Sequence, residues 1–115
     1  MKINKSNITI HVKDMNESIA FYESIGLTLE NRWANHYAQM VAPGITIGLH
    51  PGSEHDAEAG SGNVSIGFTT DDFEEAKLLL NRLSIKTTIR QEEGGTFIHF
   101  NDPNGTALYL IQTKW

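Results

Sequence analysis

The side chains in this sequence best suited to chemistry are imidazoles and phenols. There are five histidines, three tyrosines and no cysteine, so thiolate nucleophiles, thiolate metal sites and disulfides are excluded. His11 and His50 fall on the polar parity of two segments that alternate apolar and polar residues, and Tyr109 does so in a third. An imidazole accepts a proton near neutral pH and a phenol donates a hydrogen bond, which makes these three a candidate acid–base set. No serine with an evident His–carboxylate partner accompanies them. As a metal site, His11 and His50 are two imidazoles without a carboxylate on the same parity, short of the three or four protein ligands typical of zinc. The plain alternative for each is a satisfied polar residue lining a wet cavity. His36, beside a turn, and His55, in an acidic stretch, read as surface residues.

A strand–helix unit that occurs twice must position these groups. In Ile8 to Leu27, Ile8, Ile10 and Val12 alternate with Thr9 and His11, the period-two pattern of a strand with one buried face. Asp14 can cap a helix beginning at the next residue, Ile19, Phe21, Tyr22 and Ile25 recur at helical spacing, and Gly26 ends it. Fifty-eight residues later Ile66, Phe68 and Thr70 replace Ile8, Ile10 and Val12, and Asp72 replaces Asp14. Strands are expected over 28–33, 36–41 and 45–50 after the first helix, with the tight turn Pro43-Gly44 between the last two. After the second helix, with Leu78, Leu79, Leu80 and Leu83 as its apolar side, strands are expected over 85–90, 96–100 and 106–112. The stretch 91–95 reads as an exposed turn, and Asp102-Pro103-Asn104-Gly105 as another. At the second turn Pro43-Gly44 falls on Asn104-Gly105 and Gly48 on Tyr109. The chain thus divides into β-α-β-β-β modules at about 6–51 and 63–113, joined by a glycine-rich, acidic linker at 52–62, within one domain of 115 residues.

Composition narrows the partners. A net charge of −5 argues against a nucleic-acid surface and is compatible with a cationic small molecule. No apolar run approaches the roughly 20 residues needed to span a bilayer, and the N-terminus lacks the apolar core of a signal peptide. A cytoplasmic protein without membrane or nucleic-acid partners is expected.

Val12-Lys13-Asp14, Ser18, Phe21-Tyr22 and Ile25-Gly26 in the first module, with Asp102-Pro103-Asn104-Gly105, Leu108 and Leu110 in the second, resemble the vicinal oxygen chelate superfamily. That superfamily includes glyoxalase I, extradiol dioxygenases, fosfomycin-modifying enzymes and bleomycin-resistance proteins. The resemblance implies an α+β fold in which paired βαβββ modules form an open, cup-like β-barrel with helices outside and ligand inside. It also implies a homodimer with pockets where modules of two chains meet.

Superfamily enzymes generally hold a divalent metal from four strands. Register places those positions at Asn7, Gly48, Ser65 and Tyr109, none of them the usual His, Glu or Gln. No metal and no other cofactor is therefore expected, which argues against glyoxalase I, ring-cleaving and fosfomycin-transferase activities. Strand parity turns Asn7, Thr9 and His11, then Gly48 and His50, then Ser65 and Tyr109 toward the cup. His99 is ambiguous because Phe97, Ile98 and Phe100 are all apolar. Trp33, before the turn Ala34-Asn35, suits a rim that stacks a planar or cationic ligand or packs on a partner chain. The sequence supplies no partner for Trp115. The leading expectation is a binding protein that holds a small organic molecule without converting it. The alternative is a lyase or isomerase using a displaced metal or the histidines.

Overall fold

Both helices start at an aspartate. In the computed structural model, which describes residues 1–52, 64–92 and 94–113, Asp14 has an extended backbone and its carboxylate accepts the Glu17 N–H at 3.0 Å. Asp72 does the same for the Glu75 N–H, also at 3.0 Å. Each cap satisfies a donor that the first helical turn leaves free, and the adjoining glutamates favour the positive end of the helix dipole. Helix α1 (Met15–Ser24) buries Met15, Ser18, Ile19 and Tyr22, a stripe at i, i+3, i+4 and i+7. Helix α2 (Phe73–Arg82) buries Phe73 and Leu80.

The chain forms two units, Met1–Gly60 and Ser61–Trp115. In the first, β1 (Ile8–Val12), β2 (Thr28–Trp33), β3 (Tyr37–Ala42) and β4 (Ile45–Pro51) make a four-stranded sheet in the order β1-β4-β3-β2. In the second, β5 (Ser65–Phe68), β6 (Thr88–Glu92), β7 (Gly95–Asn101) and β8 (Ala107–Thr113) repeat that order as β5-β8-β7-β6. Helix and sheet contents match the α+β, twice-βαβββ expectation. The duplication extends to register. Parallel β1 and β4 pair Ile8 with Ile47 and Thr9 with Gly48, while β5 and β8 pair Ile66 with Leu108 and Gly67 with Tyr109. Gly48 and Tyr109 are therefore structural equivalents.

The face of the first sheet that packs on α1 carries Ile10, Val12, Ala38, Met40, Ile47 and Leu49, all buried. In the second unit Ile66, Ile98, Phe100, Leu108 and Leu110 are buried apolar side chains of the sheet. The turn 102–105 is held by Asp102, whose buried carboxylate accepts the N–H groups of Asn104 and Thr106, each at 2.8 Å. Among the described residues no helix is long and apolar enough to cross a membrane.

Four expectations require correction. Leu78, Leu79, Leu80 and Leu83 do not form one apolar side; Leu80 is buried, whereas Leu78 is 60% exposed and Leu83 38%. Consecutive helical residues are about 100° apart, so a leucine run must spread around the helix. Residues 85–87 stand outside the sheet, and β6 begins at Thr88. The ladder then continues to Glu92 opposite Gly95, consuming most of the stretch read as a turn. Strand β5 is shorter than the apolar pattern of 64–70 suggests. The linker from residue 53, with His55, lies outside the described residues, as does Trp115.

Two consequences concern stability. Gly26 has φ +111° after α1, and its repeat equivalent Ser84 has φ +59° after α2. Gly26→Ala should lower unfolding free energy by about 1 kcal/mol, and Ser84→Gly should raise it by less than that, because only a side-chain-free residue takes positive φ without strain. Urea denaturation midpoints would measure both. Asp102→Ala should cost about 2 kcal/mol by stranding buried N–H groups, measured the same way.

Candidate functional site

With α1 on one face, the other face of the first sheet is left for polar residues. Strand alternation places Asn7, Thr9 and His11, Gly48 and His50, and Tyr37 and Gln39 on it. Asn7 Nδ2 donates to Thr9 Oγ1 at 3.2 Å and to the Tyr37 hydroxyl at 3.3 Å. A Cβ built on Gly48 would overlap that same hydroxyl, so the phenol lies directly over the glycine and accounts for its burial. The Trp33 ring, half exposed, lies 5.7 Å from the Tyr37 ring at an interplanar angle of 35°. Gln39 accepts a hydrogen bond from Asn31 Nδ2 at 3.2 Å.

Arg32 fixes the turn that carries Trp33 and Tyr37. Its Nε donates to the Ala34 carbonyl at 2.7 Å, and its Nη2 donates to Asn16 Oδ1 and Asn35 Oδ1 at 2.8 Å each. Ala34 adopts φ +47°, so the guanidinium also holds a strained turn residue in place. A long charged side chain thus ties the aromatic end of the hairpin to the first turn of α1.

His11 and His50 face each other across the parallel β1–β4 pair. Both are exposed, and their ring centroids are 5.6 Å apart at 76°. His50 Nδ1 lies 2.8 Å from the Pro51 carbonyl oxygen.

The second sheet carries a different cluster on its corresponding face. His99 pairs with Tyr109 and Phe97 with Ile111 across β7 and β8. This resolves the parity of β7: Ile98 and Phe100 are buried, while Phe97 and His99 share a face with Tyr109. The Phe97 and His99 rings stack at 5.8 Å and 10°, and Tyr109 tilts against both, at 5.7 and 6.0 Å. The Tyr109 ring lies over Gly67, where a Cβ would overlap it. Ser65, opposite Ala107, is exposed on β5.

The residues singled out from sequence therefore gather by module. Asn7, Thr9, His11, Trp33, Gly48 and His50 share the first sheet's open face; Ser65, His99 and Tyr109 belong to the second. Tyr37 and Phe97 belong with them and were not anticipated. The buried parity of Ala38 and Met40 is the signal that would have placed Tyr37. A separate depression of about 300 Å³ is lined by Val12, Lys13, Asp14, Met15, Asn16, Asn35 and Pro51, none of them an anticipated site residue.

The divalent metal implied by the resemblance does not fit these residues. Gly48 offers no donor atom, and the volume a ligand side chain would need is filled by the Tyr37 hydroxyl. Asn7 offers only an uncharged amide oxygen, while its Nδ2 donates to the Thr9 and Tyr37 hydroxyls. In the second unit the corresponding positions hold a serine and a phenol, and hard or borderline cations prefer carboxylates and imidazoles. Among the described residues no group of three or more His, Asp or Glu side chains could hold a metal ion.

Comparison with known proteins follows the same line. No curated protein sequence matches this chain. Among solved structures, the genomically encoded fosfomycin resistance protein FosX of Listeria monocytogenes superposes with a TM-score of 0.82 at 20% identity, covering 99% of this chain and 94% of that one. A bleomycin-binding protein complexed with bleomycin gives 0.74 at 23% identity, with 97% and 100% covered. An antibiotic binding protein from Streptomyces gives 0.78 at 20%, with 99% of each chain covered. At these identities the likeness establishes the fold. The family model for the Glyoxalase/Bleomycin resistance protein/Dioxygenase superfamily matches residues 6–110, and with that match across nearly its whole length the chain belongs to this superfamily.

Proposed function

We propose that the protein binds a small organic molecule, without a divalent metal, against the polar sheet faces that its fold leaves uncovered. The observation that carries this reading is the placement of Tyr37 over Gly48: the strand-four position where superfamily enzymes keep a ligand has no donor, and a phenol occupies its space. What remains is a surface of amides, hydroxyls and aromatic rings, suited to orienting an organic ligand by a few hydrogen bonds and by stacking. Trp33 beside Tyr37 offers a flat platform, and the net charge of −5 favours a cationic ligand. The structural neighbours that bind bleomycin and other antibiotics support antibiotic-like molecules as the first class to try. We further propose a cytoplasmic homodimer in which modules of two chains complete each cup.

The test is thermal unfolding with bleomycin and other cationic antibiotics, in the presence and absence of EDTA. A ligand at a hundred times its Kd should stabilise the fold by about 2.7 kcal/mol, a shift of several degrees. The shift should be indifferent to EDTA, and Trp33→Ala should reduce it. A shift that vanishes with EDTA would overturn the metal-free reading; no shift with any antibiotic would overturn the ligand class.

The cross-strand pairing of His11 and His50 favours a second reading, acid–base catalysis on the same face. Turnover of any bound compound that disappears in the His11→Ala/His50→Ala double variant would replace the binder with an enzyme. Arg32→Ala, which frees the hairpin carrying Trp33 and Tyr37, should weaken ligand binding about tenfold by calorimetry while leaving the secondary structure intact.

A further inference from the structure

We propose that His11 and His50 form a two-imidazole clamp for an imidazole-preferring divalent ion, Cu(II) foremost. The clamp is distinct from the superfamily's metal positions and does not rest on the organic-ligand reading. The two residues are direct partners in the parallel β1–β4 ladder, so their side chains leave the same face side by side. A metal about 2.1 Å from an imidazole nitrogen lies roughly 3.2 Å from the ring centroid, and the cis angle of about 90° in a tetragonal Cu(II) site then sets two centroids roughly 4.5 Å apart. The observed separation is 5.6 Å, and both rings are exposed, so side-chain rotation about χ1 and χ2 can bring them about 1 Å closer without core rearrangement.

The second observation is the tautomer of His50. A carbonyl oxygen can only accept, so the 2.8 Å contact between Nδ1 and the Pro51 oxygen makes Nδ1 the donor, and Nε2 is the nitrogen through which this ring would bind a metal. An N–H to backbone carbonyl contact of this kind is what orients histidine ligands in metal sites. Two nitrogen donors leave the remaining coordination positions to water or to an oxygen-bearing ligand. Such a site follows the general affinity order that peaks at Cu(II), and hard ions such as Mg(II) should ignore it.

The experiment is equilibrium dialysis of the full chain against Cu(II) in a non-chelating buffer, with electron paramagnetic resonance of the bound ion. One ion per chain carrying two imidazole nitrogens is expected. His11→Gln and His50→Gln should each weaken binding at least about tenfold, because each removes one arm of a chelate. His36→Gln, at an exposed position beside the β2–β3 turn, should leave binding unchanged. Absence of binding to the unmodified protein, a spectrum with fewer than two imidazole nitrogens, or either single variant retaining full affinity would overturn the proposal. The spectrum is taken on the unmodified protein, so the test stands even if a variant misfolds. Bleomycin binding that resists EDTA is a separate readout, and either result can fail alone.

Discussion

The architecture depends on the parallel pairing of the first and last strands of each module, β1 with β4 and β5 with β8. A strand cannot turn directly into a parallel neighbour, so an intervening segment must cross over, and here it contains a helix packed on the sheet. In the first module that crossing spends Ile10, Val12, Ile47 and Leu49 on the helix side. Their neighbours in sequence are thereby sent to the opposite side. The polar face is the complement of the core, created by the same alternation.

On that face the two modules solve one problem differently. Thr9 and Gly67 are equivalents, as are Gly48 and Tyr109. In the first module the aromatic ring comes from β3 and lies over a glycine in β4; in the second it comes from β8 and lies over a glycine in β5. Close approach of a ring to a backbone requires a missing Cβ, which explains why a glycine sits mid-strand in each despite its entropic cost. The duplication conserved the backbone register while the side chains on the open faces diverged into an amide–hydroxyl network and a Phe97–His99–Tyr109 cluster.

Much of this was legible in the sequence, because it rests on local signals. The caps Asp14 and Asp72, the alternation of Ile8, Ile10 and Val12, and the matching spacing of the halves led to the right elements and to the equivalence of Gly48 with Tyr109. The legible part ended where local pattern is degenerate. Phe97, Ile98 and Phe100 are all apolar, and only the pairing of His99 with Tyr109 shows which side is which. Three consecutive leucines in α2 could not reveal that Leu80 faces inward. Residues 85–87 look like strand but pair with none of the described strands, since pairing is a property of the sheet and not of the segment. The importance of Tyr37 is not written in its own strand, because it lies in the side chain that Gly48 lacks.

The Tyr37–Gly48 arrangement also bears on how such a protein can change over generations. Restoring a donor at position 48 would drive the new side chain into the phenol, while shrinking Tyr37 first would leave a void and strip Asn7 of an acceptor. A side chain at position 48 therefore requires the Tyr37 ring to move. The two positions are thus coupled, and a change at either is felt at the other.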